Sequence, residues 1–170
     1  MKSNEALHPT DANAIDDTHQ ISKQIKKDCL RLLTRRDHSR KEIQRKLADK
    51  GYQPDQVVSV IDELAGQSWQ DDARYAESYA RVRSQKGFGP VRIAYELQQQ
   101  GIAQAKVESV LRATTDDWMN LLEQVYDKKY SDSTAIDSSE QAKRSRFLLQ
   151  RGYSSAMIQD FFKRTATKLT

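Results

Sequence analysis

Apolar residues recur along the chain with the spacing of amphipathic helices. The three stripes nearest the start are Ile21, Ile25, Cys29, Leu32 and Leu33, then Ile43 and Leu47, then Val57, Val60, Ile61 and Leu64. The first predicts a helix over residues 20–36, since positions i, i+4 and i+8 share one face. The second follows a capping-box pair, Ser39 and Glu42, and ends at Gly51, while the third begins near Pro54. Three consecutive helices are therefore predicted.

This three-helix pattern returns twice. A shift of fifty residues carries Ile43, Leu47, Gly51, Val57, Val60 and Ile61 onto Ile93, Leu97, Gly101, Val107, Val110 and Leu111. A further shift of fifty-one carries the last five of these onto Leu148, Gly152, Ile158, Phe161 and Phe162. The glycine in each copy follows the second helix, where a left-handed residue ends it, so we expect positive φ at all three glycines.

The fold class that follows is all-α, with three tandem three-helix repeats forming an elongated, curved array. We expect the repeats at residues 20–66, 69–113 and 115–167, with first helices over 20–36, 71–86 and about 115–130. Residues 1–19 have few apolar positions and contain Pro9, which favours a disordered leader. The Ser- and Asp-rich stretch 131–139 in the third repeat is expected to be a flexible loop.

The composition favours thin helical layers rather than one thick hydrophobic core. Hydrophobic residues make up 37% of the 170 positions, charged residues 31%, and the mean hydropathy is -0.84. The single cysteine, Cys29, excludes a disulfide framework, and its place on the first stripe indicates a buried core thiol. No apolar run has the length of a membrane span, and the first twenty residues lack a hydrophobic signal segment. A cytoplasmic protein without membrane association is expected.

Basic charge recurs with the repeat. Residues 26–50 have a net charge of +6, residues 81–112 of +4 and residues 143–170 of +6, and acidic stretches between them bring the total to +4. Stacked repeats would join these blocks into a stripe that can follow a phosphate backbone or an anionic groove, although solvated helix faces are the simpler alternative. The candidate binding residues are Arg31, Arg35, Arg36, Arg40, Lys41, Arg45, Lys46, Arg81, Arg83, Lys86, Arg92, Lys143, Arg144, Arg146 and Arg151.

Catalytic and metal-binding patterns are weak. The three histidines do not have metal-ligand spacing, and no phosphate-binding Gly-x-x-x-x-Gly-Lys loop occurs. Asp71 and Asp72 are adjacent, so on a helix they diverge, and we interpret them as N-terminal helix charges. Gly87-x-Gly89 has no predicted strand before it, which argues against a dinucleotide loop. Neither enzymatic activity nor a cofactor or metal is expected.

Three sequence blocks resemble the RecX family of recombination regulators. The first is Ser39-Arg40-Lys41-Glu42-Ile43 with Leu47 and Gly51. The second is Trp69-Gln70-Asp71-Asp72-Ala73-Arg74-Tyr75-Ala76, followed by Lys86-Gly87-Phe88-Gly89-Pro90, Ile93, Glu96-Leu97 and Gly101-Ile102. The third is Arg146-Phe147-Leu148-Leu149-Gln150-Arg151-Gly152-Tyr153. The resemblance covers residues 25 to 164 and leaves out the leader and the 131–139 loop.

The resemblance implies a non-enzymatic protein that binds the RecA recombinase filament on single-stranded DNA. Such a protein would lie in the filament groove and damp filament extension, ATP hydrolysis, strand exchange and the co-protease activity of the SOS response. The implied partners are the RecA filament and single-stranded DNA, with duplex DNA as a further candidate, and the expected state is a monomer.

Two other classes stay open on the residues alone. The first is a helix-turn-helix module that binds duplex DNA directly, because a helix, a glycine turn and a second helix also describe that motif. The third helices of the first two repeats argue against it, since they are not basic and would make poor recognition helices. The second class is a scaffold that binds only protein.

Overall fold

The computed structural model describes residues 9–115, 117–130 and 137–168. In this part of the chain the regular elements are helices, as the sequence predicts. Their bounds are α1 Pro9–Leu33, α2 Arg40–Ala48, α3 Pro54–Gly66, α4 Asp72–Gln85, α5 Pro90–Gln99, α6 Gln104–Thr114, α7 Trp118–Lys129, α8 Ser138–Arg151 and α9 Ser155–Lys168. They form three groups of three, which confirms the tandem three-helix fold. The elongated, curved arrangement of the groups stays a prediction.

The first helix begins well before its expected start at residue 20. Residues 9–19, which we expected to be disordered, are the first turns of α1. Pro9 starts the helix, where its missing N–H has no consequence, and Ala12 and Ala14 favour helix extension. The packed part of the helix, anchored by the buried Ile25, supplies the nucleus onto which these polar turns add. Residues 1–8 of the expected leader lie outside the described residues.

The predicted loop 131–139 is described only at its end. Residues 131–136 lie outside the described part of the chain. Asp137 is the N-cap of α8, and its Oδ1 accepts a hydrogen bond from the Glu140 N–H at 2.7 Å. Ser138 and Ser139 therefore belong to a helix, because the Asp137 cap satisfies one of the N–H groups that a helix start leaves free.

The chain divides into two compact units, with the boundary between Asp72 and Ala73. The first unit contains α1, α2 and α3, and its core consists of Ile25, Cys29, Ile43, Leu47, Val57, Val60, Ile61 and Leu64. Cys29 is fully buried as predicted, and burial raises the pKa of its thiol to about 11. The first unit thus has its own hydrophobic core, and the bounds 20–66 of the first repeat stay a prediction.

The second unit contains two hydrophobic clusters, one for each of its three-helix groups. The cluster of the second group is Tyr75, Ala76, Ala80, Ile93, Leu97, Ile102, Val107 and Val110. The cluster of the third group is Leu122, Tyr126, Leu148, Tyr153, Ile158 and Phe161. Gly51, Gly101 and Gly152 have φ of 89°, 84° and 92°, which confirms the glycine turn of every repeat.

Candidate interaction surface

One set of cations in the first unit is exposed and has no ion pair among the described residues. Its members are Arg31, Arg35, Lys41 and Arg45. Lys41 and Arg45 are one turn apart on α2, so they share a face, and the buried Ile43 points away from it. We call these four residues the α2 basic set. None of the four forms an ion pair among the described residues, although Arg31 lowers the pKa of the nearby Asp28, so they are available to an external anion.

The other candidate cations of this block pair within the first unit. Arg36 forms a two-pronged contact with Glu42, with Nη2 to Oε1 at 2.5 Å and Nη1 to Oε2 at 3.0 Å. Arg40 Nη2 lies 2.6 Å from Asp62 Oδ1, and Lys46 Nζ lies 3.7 Å from Glu42 Oε1. Arg36 and Arg40 hold α2 to the preceding loop and to α3, and Lys46 pairs within α2, so we assign all three to the fold rather than to the available surface.

Glu42 is the carboxylate partner of both Arg36 and Lys46. Burial of its carboxyl raises the pKa, but the Arg36 hydrogen bonds and the charges of His38, Arg36 and Lys46 outweigh burial and hold the pKa below its ordinary value. Its N–H is bonded to Ser39 Oγ at 3.0 Å, which confirms one half of the predicted capping box. The acidic side chain therefore neutralises one edge of the basic block.

A groove runs beside the α2 basic set. It has a volume of about 380 Å³ and lies between α2 and α3. Lys41 and Arg45 form part of its wall, and Tyr52 and Val57 contribute apolar surface. Positive charge and apolar surface thus occur side by side in the first unit.

Asp72, interpreted from sequence as a helix-terminal charge, lies in the first turn of α4. Its Oδ1 accepts hydrogen bonds from the Arg40 backbone N–H and from Gln70 Nε2, both at 2.8 Å. The carboxylate therefore satisfies a free N–H at the start of α2, which is a structural role. Among the described residues no group of histidine, cysteine and carboxylate side chains is arranged to hold a metal ion.

In the second unit, three guanidinium groups gather around one aromatic ring. Cζ of Arg83 lies 3.7 Å from the centroid of Phe88, Cζ of Arg92 lies 4.5 Å from it, and Cζ of Arg151 lies 5.2 Å from it. Glu96 bonds to both Arg83 and Arg92. We call these five residues the Phe88 cluster. Sequence analysis singled out the arginines but missed the ring that joins them, although the Lys-Gly-Phe-Gly-Pro block contained it.

The cluster lies where the second and third three-helix groups meet. The Gly89 N–H donates to the Arg151 carbonyl at 2.8 Å, and the Val91 N–H donates to the Gly152 carbonyl at 3.0 Å. A Cβ on Gly89 would lie 2.4 Å from the Gly152 oxygen, so only glycine permits this approach. The Gly-Phe-Gly-Pro loop is thus a docking element for the turn between α8 and α9.

Arg144 corrects the predicted surface. Its side chain is buried, with Nη1 donating to the Tyr126 hydroxyl at 2.7 Å and Nε donating to Glu140 Oε1 at 2.9 Å. Its Cζ also lies 4.6 Å from the centroid of Tyr130. Arg144 therefore stabilises the third group and is not available to a partner.

The remaining candidates are exposed and lie on the second unit. They are Arg81, Lys86, Lys143 and Arg146. Lys143 lies 3.5 Å from Glu140, and Arg81 contacts the hydroxyl of Ser78 at 3.4 Å. No helix in the described residues is long and apolar enough to span a bilayer.

Models of the first, second and third three-helix domains of RecX match residues 26–64, 71–111 and 115–162. The regulatory protein RecX of Pseudomonas tolaasii is 37% identical over 134 residues, 79% of this chain and 86% of that protein. The regulatory protein RecX of Halorhodospira halophila (strain DSM 244 / SL1) is 35% identical over 138 residues, 81% of this chain and 86% of that protein.

Two solved structures have the same fold. A crystal structure of regulatory protein RecX has a TM-score of 0.75 at 21% identity, covering 96% of this chain and 81% of that one. The crystal structure of RecX from Lactobacillus salivarius has a TM-score of 0.68 at 23% identity, covering 86% and 97%. With domain models across most of the chain and curated relatives above one-third identity, this chain belongs to the RecX family of regulatory proteins.

Proposed function

We propose that this protein acts as a cytoplasmic monomer that binds the RecA filament on single-stranded DNA and restrains it. In this role it damps filament extension, ATP hydrolysis, strand exchange and SOS co-protease activity without chemistry of its own. Family membership supports the regulatory part of the proposal. The α2 basic set is the observation that carries the binding part.

The α2 basic set supports a polyanionic partner because its four charged groups are exposed and form no ion pair among the described residues. Arg31, Arg35, Lys41 and Arg45 are exposed, whereas Arg36 and Arg40 are ion-paired within the unit. A solvated helix face would mix both signs, but these four are cations on adjoining elements. Three of them are arginines, whose planar groups suit phosphate and carboxylate. A filament presents both kinds of anion.

The third helices of the first two repeats weaken the alternative of a helix-turn-helix module. Helix α3 has no basic residue, and α6 has only Lys106 and Arg112. Lys106 Nζ is 3.0 Å from Glu77, so its charge is already paired. Major-groove recognition requires side chains that reach base edges, most often arginine or lysine to guanine. Neither helix offers such a row.

The test compares coated and bare DNA. We expect the protein to bind RecA-coated single-stranded DNA and slow its ATPase at physiological salt, and to hold the same bare DNA poorly. Phosphate contacts alone weaken steeply with salt, whereas a filament adds packed protein surface. Equal affinity for coated and bare strands with no change in ATPase would favour the direct DNA-binding module.

A quadruple variant locates the binding charge. Replacing Arg31, Arg35, Lys41 and Arg45 by Gln should weaken filament binding roughly tenfold while the fold is kept, since exposed charges contribute ~0.2–1 kcal/mol each. The matched control replaces four exposed cations outside the candidate set, Arg112, Lys128, Lys163 and Arg164, by Gln. If the quadruple variant folds and still inhibits like the parent, the α2 basic set is not the contact.

A further inference from the structure

The Phe88 cluster holds more positive charge than it cancels. Arg83 and Arg92 share one carboxylate, Glu96. Among the described residues Arg151 has no carboxylate partner; its Nη1 donates instead to the Lys86 carbonyl at 3.1 Å. A carbonyl satisfies an N–H but leaves the full charge in place. Three guanidinium groups around the Phe88 ring thus have one carboxylate between them.

The uncancelled charge is also held in place. Arg92 Nη1 donates to the Gln150 carbonyl at 3.0 Å, and the guanidinium stacks on the Phe88 ring. Arg151 is tethered in the same two ways, by the Lys86 carbonyl and by the ring. Their Cζ atoms lie 4.5 Å and 5.2 Å from the Phe88 centroid, so both guanidinium groups border the same ring. Fixed cations lose little conformational entropy when an anion binds.

An exposed aromatic side chain follows on the same helix. Tyr95 is 61% exposed and lies three residues after Arg92 on α5, so the two side chains are neighbours on the helix surface. Sequence analysis did not single it out. A cation that takes a phosphate beside a ring that takes a base is the arrangement by which proteins hold single strands. A single strand supplies both a phosphate for the cation and a base for the ring, so one ligand accounts for both side chains.

We propose that the junction of the second and third three-helix groups holds single-stranded DNA, with a phosphodiester on Arg92 and Arg151 and the adjoining base stacked on Tyr95. This inference rests on the proposed function, because it assigns the DNA contact of a filament-binding protein. The α2 basic set is then a separate contact. The phosphate ligand needs no base pairing, and stacking makes the site tolerant of sequence.

The test measures binding of a fluorescently labelled single-stranded oligo-dT to the full chain at several low salt concentrations. Arg151→Gln should lower affinity about threefold to tenfold and reduce the slope of log affinity against log salt by about 0.7, the value for one phosphate contact on a single strand. Tyr95→Leu should lower affinity about fivefold or more without changing that slope, since stacking involves no counterion release. Tyr95→Phe should bind like the parent.

Controls separate this site from general electrostatics and from unfolding. Arg112→Gln removes an exposed cation elsewhere in the same unit and should change affinity less than twofold. Arg151→Lys keeps the charge and should keep the salt slope, so a smaller slope in Arg151→Gln reports the lost charge. Melting curves check each variant.

Two outcomes would overturn the inference. The first is unchanged oligo-dT binding by folded Arg151→Gln and Tyr95→Leu proteins. If these variants weaken only the binding to RecA-coated DNA, the junction contacts protein carboxylates instead. The second is an equal loss in Arg112→Gln. If the parent protein binds oligo-dT as expected but fails to slow the filament ATPase, the proposed function fails and this site stands.

Discussion

The same loop is closed in two different ways in the first and second repeats. At a shift of fifty residues, Arg36-Asp37-His38-Ser39 corresponds to Lys86-Gly87-Phe88-Gly89. Ser39 caps α2 with its own hydroxyl, while α5 begins with no side-chain cap. The carbonyls of Arg151 and Gly152 accept the N–H groups of Gly89 and Val91 instead. In the first repeat side chains cap the helix start, Ser39 from within the repeat and Asp72 from the next helix, whereas in the second repeat the carbonyls of the turn between α8 and α9 take this role.

The difference extends to charge. Glu42 in the first turn of α2 corresponds to Arg92 in the first turn of α5. A cation there opposes the helix dipole, which favours negative charge at a helix start. Glu96 and the Gln150 carbonyl offset this cost for Arg92. A cation that goes against the charge preference of a helix start in this way is a marker of function, which agrees with a binding site at this junction.

The largest expected effect comes from a pair of glycine variants. Gly152 and Gly51 have nearly the same φ, 92° and 89°. A Cβ on Gly152 would lie 2.2 Å from the Arg92 Cβ, whereas a Cβ on Gly51 would meet nothing within 4 Å. Gly152→Ala should lower the free energy of unfolding by about 3 kcal/mol or more and Gly51→Ala by about 1 kcal/mol, measured by urea denaturation. Equal losses would mean that backbone strain alone matters.

The next prediction tests a close contact between two backbone segments at a glycine that has no backbone strain. Gly89 has an ordinary φ of -83°, but its added Cβ would lie 2.4 Å from the Gly152 oxygen. Gly89→Ala should therefore destabilise by about 2 kcal/mol through the clash alone. Its control, Gly66→Ala at the end of α3, has open space and should stabilise slightly, by up to about 0.5–1 kcal/mol. A neutral Gly89→Ala would contradict the docking of the two loops.

A smaller effect is expected from the ring. Phe88→Leu keeps apolar bulk but removes the face on which Arg83 stacks at 3.7 Å. We expect a loss of about 1–2 kcal/mol, of which about 1 kcal/mol should appear as coupling in a double-mutant cycle with Arg83→Met. The cycle is measured by chemical denaturation. Additive losses would show that the ring contributes only by filling space.

Helices and their cores could be predicted from the sequence because burial follows helical periodicity. Ile43 and Leu97, chosen on that basis, are both fully buried. Whether each arginine is paired within the fold or exposed to a partner could not be predicted, because ion pairs and hydrogen bonds depend on side chains far away in the sequence. Arg144 is buried by Tyr126, eighteen residues earlier, and no local pattern reports that contact. The predicted start of α1 was wrong for a related reason. Packing at Ile25 supports the preceding polar turns, whose helical conformation cannot be predicted from residue propensity alone.

The smallest effect concerns pH at the position where the first repeat has His38 in place of Phe88. Burial lowers the pKa of the His38 imidazole below its ordinary 6.5, although the Arg36 carbonyl, 3.0 Å from Nδ1, and the Glu42 charge oppose the shift. The unfolded chain therefore takes up a proton near pH 6.5 that the folded chain takes up only at lower pH. Stability should fall modestly as the pH drops through that window.

The lowered pKa of Glu42 affects stability in a different, more acidic pH range. Its contribution is present above its unfolded pKa, near 4.5, and is lost only below it, so it leaves the histidine window undisturbed. We expect the melting temperature of the parent to decrease between about pH 7 and pH 5.5, and His38→Gln to remove that part of the decrease. His19→Gln, at an exposed position on α1, is the control. A parent and a His38→Gln protein with parallel melting profiles would show that the imidazole does not titrate with folding.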